Sequence, residues 1–148
     1  MYNSLGEYNQ AKEPLEKALV IRKKIFGEDR ADVATSYNNL ASVYKRLGEY
    51  NQAKELHEKA LVIHKKIFGE DHDYVAKSYN DLALVYDSLG EYNRAKELLE
   101  KALKIYEKIF VEDHLYVEKV RKNLALLNHC QRAGQCKDRR EKAWCLVL

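Results

Sequence analysis

The sequence predicts an all-α fold, a solenoid of antiparallel helix pairs, on three observations. Leu-Gly-Glu-Tyr-Asn occurs at Leu5–Asn9, Leu47–Asn51 and Leu89–Asn93, a period of 42 residues. The block Leu5–Arg46 matches Leu47–Ser88 at 31 of 42 positions. Six Gly and one Pro in 148 residues leave few helix breakers. A period of this size means stacked helical units, each unable to bury its apolar face alone. The chain should form about seven helices in a single domain, residues 1–148.

A partial repeat comes first, residues 1–31. Tyr2 stands at the position of Tyr44 and Tyr86, so the chain begins in the last turn of a helix that is otherwise missing. A long helix, Glu7–Phe26, follows, and without its partner Tyr8, Ala11, Leu15 and Ala18 should be partly uncovered. Such a face favours self-association. The full repeat 32–72 reads as two helices. In Asp32–Leu47, Val33, Tyr37, Leu40, Ala41 and Tyr44 form one apolar stripe, and Gly48 ends the helix. In Glu49–Phe68 the buried face is expected from Tyr50, Ala53, Leu56, Ala60, Leu61, Ile63 and Ile67. The full repeat 73–114 does the same with Asp73–Leu89 and Glu91–Phe110. The period fails after Leu127 in a degenerate terminal repeat, 115–148, where Arg121 and Asn128 replace Tyr79 and Tyr86. Residues 135–148 read as a shortened last helix, with Glu141-Lys142-Ala143 echoing Glu58-Lys59-Ala60.

The run Tyr37-Asn38-Asn39-Leu40-Ala41 … Tyr44 … Leu47-Gly48-Glu49-Tyr50 … Ala53 … Ala60-Leu61 resembles the tetratricopeptide repeat. The 42-residue length and the wording of Glu58–His72 resemble the subtype found in kinesin light chains. The resemblance covers roughly Tyr2–Leu127 and implies a right-handed α-solenoid. It also implies that Pro14, which would ordinarily cost a helix about 3 kcal/mol, makes a local kink rather than a break.

A near-copied unit has little room for a unique nucleophile, base and orienting group, so no enzyme, catalytic residue or cofactor is expected. A protein-interaction scaffold is. Differences between copies of the first helix fall at Thr35/Lys77, Asn39/Asp81, Ser42/Leu84 and Arg46/Ser88, spaced i, i+4, i+7 and i+11 along one helix face. Tetratricopeptide repeats line their concave groove with such positions. The resemblance therefore implies a peptide-binding surface of Asn38, Asn39, Ser42, Lys45, Arg46, Lys77, Asn80, Asp81, Leu84, Asp87, Lys119, Lys122, Asn123 and Leu126. Its five cations and two carboxylates favour an acidic segment. Asn offers a donor and an acceptor to a peptide backbone, and Leu84 and Leu126 could touch an apolar anchor. Kinesin-light-chain-like grooves take acidic peptides with an aromatic anchor. The carboxylate clamp of other family members fits poorly, because Asn38 and Ser42 stand where it needs Lys and Asn.

The remaining signals are weaker. His57 and His64 read as surface residues, without metal, since no Cys or acid has a fixed ligand spacing to them. His129, Cys130 and Cys136 match no zinc motif. Cys130, Cys136 and Cys145 all lie outside the repeats, and neither a secretory signal nor a membrane span is evident, so a cytoplasmic protein is expected. Two rival readings concern the C-terminus. Net charge is +3, yet residues 119–142 carry eight Lys and Arg against Asp138 and Glu141. That segment could contact nucleic acid, although a solvated terminal helix explains it as well. Cys145-Leu146-Val147-Leu148 fits a prenylation signal, which would make the chain a membrane-tethered adaptor. The apolar face of a final helix at Ala143–Leu148, equivalent to Ala60–Ile63, is the preferred reading of those residues.

Overall fold

The computed structural model describes residues 5–111 and 114–133. Among the described residues six α-helices run α1 Leu5–Phe26, α2 Ala31–Arg46, α3 Tyr50–Phe68, α4 Asp73–Ser88, α5 Tyr92–Ile109 and α6 Leu115–Ala133. No strand occurs among the described residues. The first five helices agree with the expected bounds to within two residues at either end. The expected last helix, and the turn around Tyr2, fall outside the described residues. Helix α1 runs through Pro14 unbroken.

The chain divides into two compact units, Met1–Glu70 and Asp71–Leu148. In the first, α2 packs against both α1 and α3. Only Leu47–Glu49 separate α2 from α3, a link too short for any but antiparallel packing. The core gathers Leu19, Val33, Ala34, Tyr37, Leu40, Ala60 and Ile63, edged by Leu15, Tyr44 and Leu56. In the second unit α5 packs against α4 and α6, around Val75, Tyr79, Leu82, Leu99, Ile105, Val117 and Val120. Ala34, Ala53, Ala60 and their copies Ala76, Ala95 and Ala102 are fully buried.

The helix reversals repeat atom for atom. Gly48 has φ +79° and Gly90 φ +80°. Beside Gly48, the Glu49 amide donates to the Tyr44 carbonyl at 2.9 Å and the Gly48 amide to that of Lys45 at 3.1 Å. Glu91 to Tyr86 and Gly90 to Asp87 do the same at 2.9 and 3.0 Å. This is the Schellman motif, which satisfies carbonyls that a helix end leaves open. The first copy of the pentapeptide behaves otherwise. Leu5 and Gly6 lie inside α1, and Gly6 is not among the glycines of positive φ.

Two burial expectations are corrected. Ile67 was expected inside but is 42% exposed. His57 and His64, read as surface residues, are buried at 2% and 4% exposure. His57 occupies the position of Leu15 and Leu99, a core position. Its Nδ1 lies 2.8 Å from Asn38 Oδ1, so an imidazole can be buried there with its proton satisfied. His64 stands where the copies have Arg22 and Tyr106, and its ring centroid lies 6.0 Å from that of Phe68.

Candidate functional site

The expected surface divides between the units. In the first, α2 carries Asn38, Asn39, Ser42, Lys45 and Arg46. Asn39, Ser42 and Arg46 are exposed, whereas Asn38 and Lys45 are half-buried. Asn38 is committed to His57. Since Oδ1 only accepts, His57 Nδ1 carries the proton. Burial first, and then the positive charge of Lys45, push the His57 pKa down to about 4. The Ser42 hydroxyl donates to the Asn38 carbonyl at 3.0 Å. Arg46 lies 6.0 Å from the Tyr8 ring centroid, close enough for a cation–π contact.

In the second unit the structure brings expected residues together around a real concavity. A cavity of about 300 Å³ is lined by Lys77, Asn80, Asp81 and Lys119, together with Asp73, Tyr74, Tyr106, Tyr116 and Val120. Lys77 and Lys119 are exposed at its rim, and they sit one 42-residue period apart, as Tyr74 and Tyr116 do. Tyr74 is 49% and Tyr116 46% exposed, while Tyr106 and Val120 are buried behind them. The Tyr106 and Tyr116 rings stack at 5.5 Å between centroids. Burial, followed by the charge of Asp81, raises the Tyr106 pKa, so its phenol stays protonated.

Asn80 is buried, and its Oδ1 accepts a hydrogen bond from Asn123 Nδ2 at 3.0 Å. The pair holds α4 to α6 at the cavity's edge. Leu84, Asp87, Asn123 and Leu126 are half-buried, and Lys122 is exposed. None of Leu84, Asp87, Lys122, Asn123 and Leu126 lines the cavity. Sequence reasoning missed Tyr74 and Tyr116. Their recurrence one period apart, where the first unit has Asp32, was the available signal.

Asp73 is occupied at the start of α4. Its Oδ1 accepts from the Tyr74 amide at 3.0 Å and lies 2.8 Å from His72 Nδ1. The cavity therefore offers an apolar, aromatic wall and two lysines at its mouth, a combination suited to an apolar side chain flanked by acids. Among the described residues no cluster of three His, Cys, Asp or Glu is arranged to hold a metal. No described helix is long and apolar enough to cross a membrane. Cys136, Cys145 and most of the basic stretch beyond α6 fall outside the described residues.

Comparison with solved structures finds BtubC (BKLC) from P. vanneervenii, at TM-score 0.78 and 28% identity, over 96% of this chain and 55% of that one. It also finds a Podosopora anserina protein assigned to the kinesin light chains, with nearly identical TPR-like repeats. That match has TM-score 0.78 and 27% identity, over 96% of this chain and 65% of the other. The chain thus spans between 55% and 65% of the length of these relatives. No curated protein matches it. These neighbours share its all-α, tetratricopeptide-like solenoid class and are of the kinesin-light-chain-like kind. The family model described as "Tetratricopeptide repeat" matches residues 1–61 and 32–108, and the chain accordingly belongs to the tetratricopeptide repeat family of protein-interaction scaffolds.

Proposed function

We propose that this chain is a noncatalytic cytoplasmic scaffold, a single interaction domain, that binds an extended acidic peptide carrying an aromatic or leucine anchor. The anchor enters the cavity of the second unit, and the flanking acids meet Lys77 and Lys119. The cavity itself carries this reading, because Tyr74, Tyr106, Tyr116 and Val120 give it an apolar interior while both lysines stay solvated at its mouth. Lys122 of α6, exposed in the same unit, extends the contact along the peptide. Asn38 and Asn80 then serve as positioning residues, since each already holds an intramolecular hydrogen bond.

Charged groups at a rim steer encounter more than they add affinity. Micromolar binding is expected from one buried anchor and a few rim contacts. Reversing both lysines, Lys77→Glu with Lys119→Glu, should weaken an acidic, Trp- or Leu-containing peptide by about tenfold, worth ~1.4 kcal/mol. It should also flatten the dependence on salt. Calorimetric titrations at low and high ionic strength test both. Unchanged affinity with an unchanged salt slope would remove the cavity from consideration. A companion variant, Tyr116→Ala, should weaken binding and leave the salt slope in place.

A further inference from the structure

Two tyrosines wall the cavity of the second unit, and each stands at the start of a helix. Tyr74 is the second residue of α4 and Tyr116 the second of α6. Backbone amides at that position have no carbonyl partner within the helix. In both helices a histidine two residues earlier accepts the amide's hydrogen bond. His72 Nδ1 lies 3.2 Å from the Tyr74 nitrogen and His114 Nδ1 3.3 Å from that of Tyr116. Each imidazole also lies 5.3 Å from the ring centroid of its own tyrosine. Helix α2 shows what happens without this pair. It has Arg30 and Asp32 at the two positions, and Arg30 makes no side-chain cap bond. Yet α2 runs the same 16 residues as α4. The helix forms without the cap, so what the histidine adds is a fixed place for the tyrosine.

The two copies differ in what stands behind them. The Tyr74 amide has a second acceptor, Asp73 Oδ1 at 3.0 Å. In α6 Leu115 takes the place of Asp73 and offers no side-chain acceptor, so the Tyr116 amide depends on His114 Nδ1. Because Nδ1 accepts, the imidazole proton sits on Nε2. The His114 ring is itself held in place. It lies 4.0 Å from the Phe110 ring centroid and within 9° of parallel to it. The His114 carbonyl accepts from the Glu118 amide at 3.1 Å, which ties the residue to the first turn of α6. Beyond it Tyr116 stacks on Tyr106, the buried back of the cavity, at 5.5 Å between centroids. Ring contacts therefore run from Phe110 through His114 and Tyr116 to Tyr106.

We propose that His114 is a positioning residue of this cavity. Its Nδ1, by holding the Tyr116 amide, sets the Tyr116 ring against Tyr106 and fixes the α6 side of the wall. The consequence for a ligand rests on the peptide-anchor function proposed for the cavity, whereas the placing of Tyr116 does not. A wall ordered before the ligand arrives has no ordering cost to meet when an anchor enters.

Two substitutions in the whole chain separate the cap from the ring. His114→Asn keeps a side-chain acceptor of a type that caps helices well and loses the ring. His114→Phe keeps a ring and loses the acceptor. Amide hydrogen exchange, read by NMR without ligand, reports the cap at a single atom. The Tyr116 amide should be equally protected in the parent and in His114→Asn, and should exchange about fivefold faster in His114→Phe. The Tyr116 ring resonances, displaced by the Tyr106 ring, should move toward those of free tyrosine in the Phe variant alone. Unchanged protection of the α4 amides shows in the same spectra that each variant is folded. An acidic, Trp-containing peptide should bind His114→Asn as it binds the parent, and His114→Phe about fivefold more weakly. Equal Tyr116 exchange in all three proteins, or a loss in His114→Asn as large as in His114→Phe, overturns the proposal. So does a peptide affinity that His114→Phe leaves unchanged. If the parent takes no acidic peptide, the peptide-anchor function falls, and the exchange pattern alone decides the role of His114.

Discussion

Between pH 6.5 and 4 the protein should lose stability that the His57→Leu variant does not lose. His57 is buried and neutral, with a folded pKa of about 4 against ~6.5 in an unfolded chain. Above pH 6.5 neither state binds the proton, and the stability associated with this site is present in full. As the pH falls below 6.5 the unfolded chain takes up a proton and the folded chain does not. The equilibrium therefore shifts toward unfolding, by about 3 kcal/mol at pH 4. Below the folded pKa both states are protonated and this dependence ends. Leu is the residue that the copies hold at Leu15 and Leu99, so the variant can pack. At pH 7 it leaves Asn38 Oδ1 without its donor and should be less stable by about 1–3 kcal/mol. Urea midpoints at pH 7 and pH 4.5 give the comparison. Carboxylates titrate in the same window in both proteins, so the difference between the two profiles is the measure. Parallel profiles would mean that the imidazole is protonated as readily in the folded chain as outside it.

The His57 result also marks where the sequence was legible and where it was not. Helix bounds were legible because period and breaker coincide. Val33, Tyr37, Leu40 and Ala41 recur on one stripe, and Gly48 follows it, so pattern and punctuation agree. His57 was misread because residue type was weighed above position. Its copies are both Leu, and a position that is Leu twice in a repeat is a core position whatever third residue it holds. The polar side of the site was harder to foresee. Asn80 and Asn38 are copies, yet one pairs with Asn123 and the other with His57. That divergence follows from Leu99 standing in the second unit where His57 stands in the first, since Leu offers no donor to an Asn Oδ1. The cavity depends on tyrosines that the expected surface did not include. Tyr74 and Tyr116 are copies of each other at the second residue of α4 and α6, and only three-dimensional contact shows that Tyr106 backs them.

Of three identical pentapeptides, two should respond to Gly→Ala with a loss of stability and the first with a gain. Gly48→Ala and Gly90→Ala each place a Cβ at φ near +80°. An added methyl would meet nothing within 4 Å at either position, so no clash contributes. The cost is conformational alone, about 1–2 kcal/mol for a non-glycine residue in the left-handed region. It falls on the reversal that carries the Schellman hydrogen bonds of Glu49 and Glu91, so helix-pair stability should drop with it. Gly6 precedes the same Glu-Tyr-Asn but lies within α1, and a Cβ there also meets open space. Gly6→Ala should therefore stabilise the chain by up to ~1 kcal/mol, the ordinary advantage of Ala over Gly in a helix. Equilibrium unfolding of the three variants under one set of conditions decides the matter. If Gly6→Ala destabilised the chain as Gly48→Ala does, the Leu5-Gly6 step would be a reversal like the other two, and α1 would begin after it.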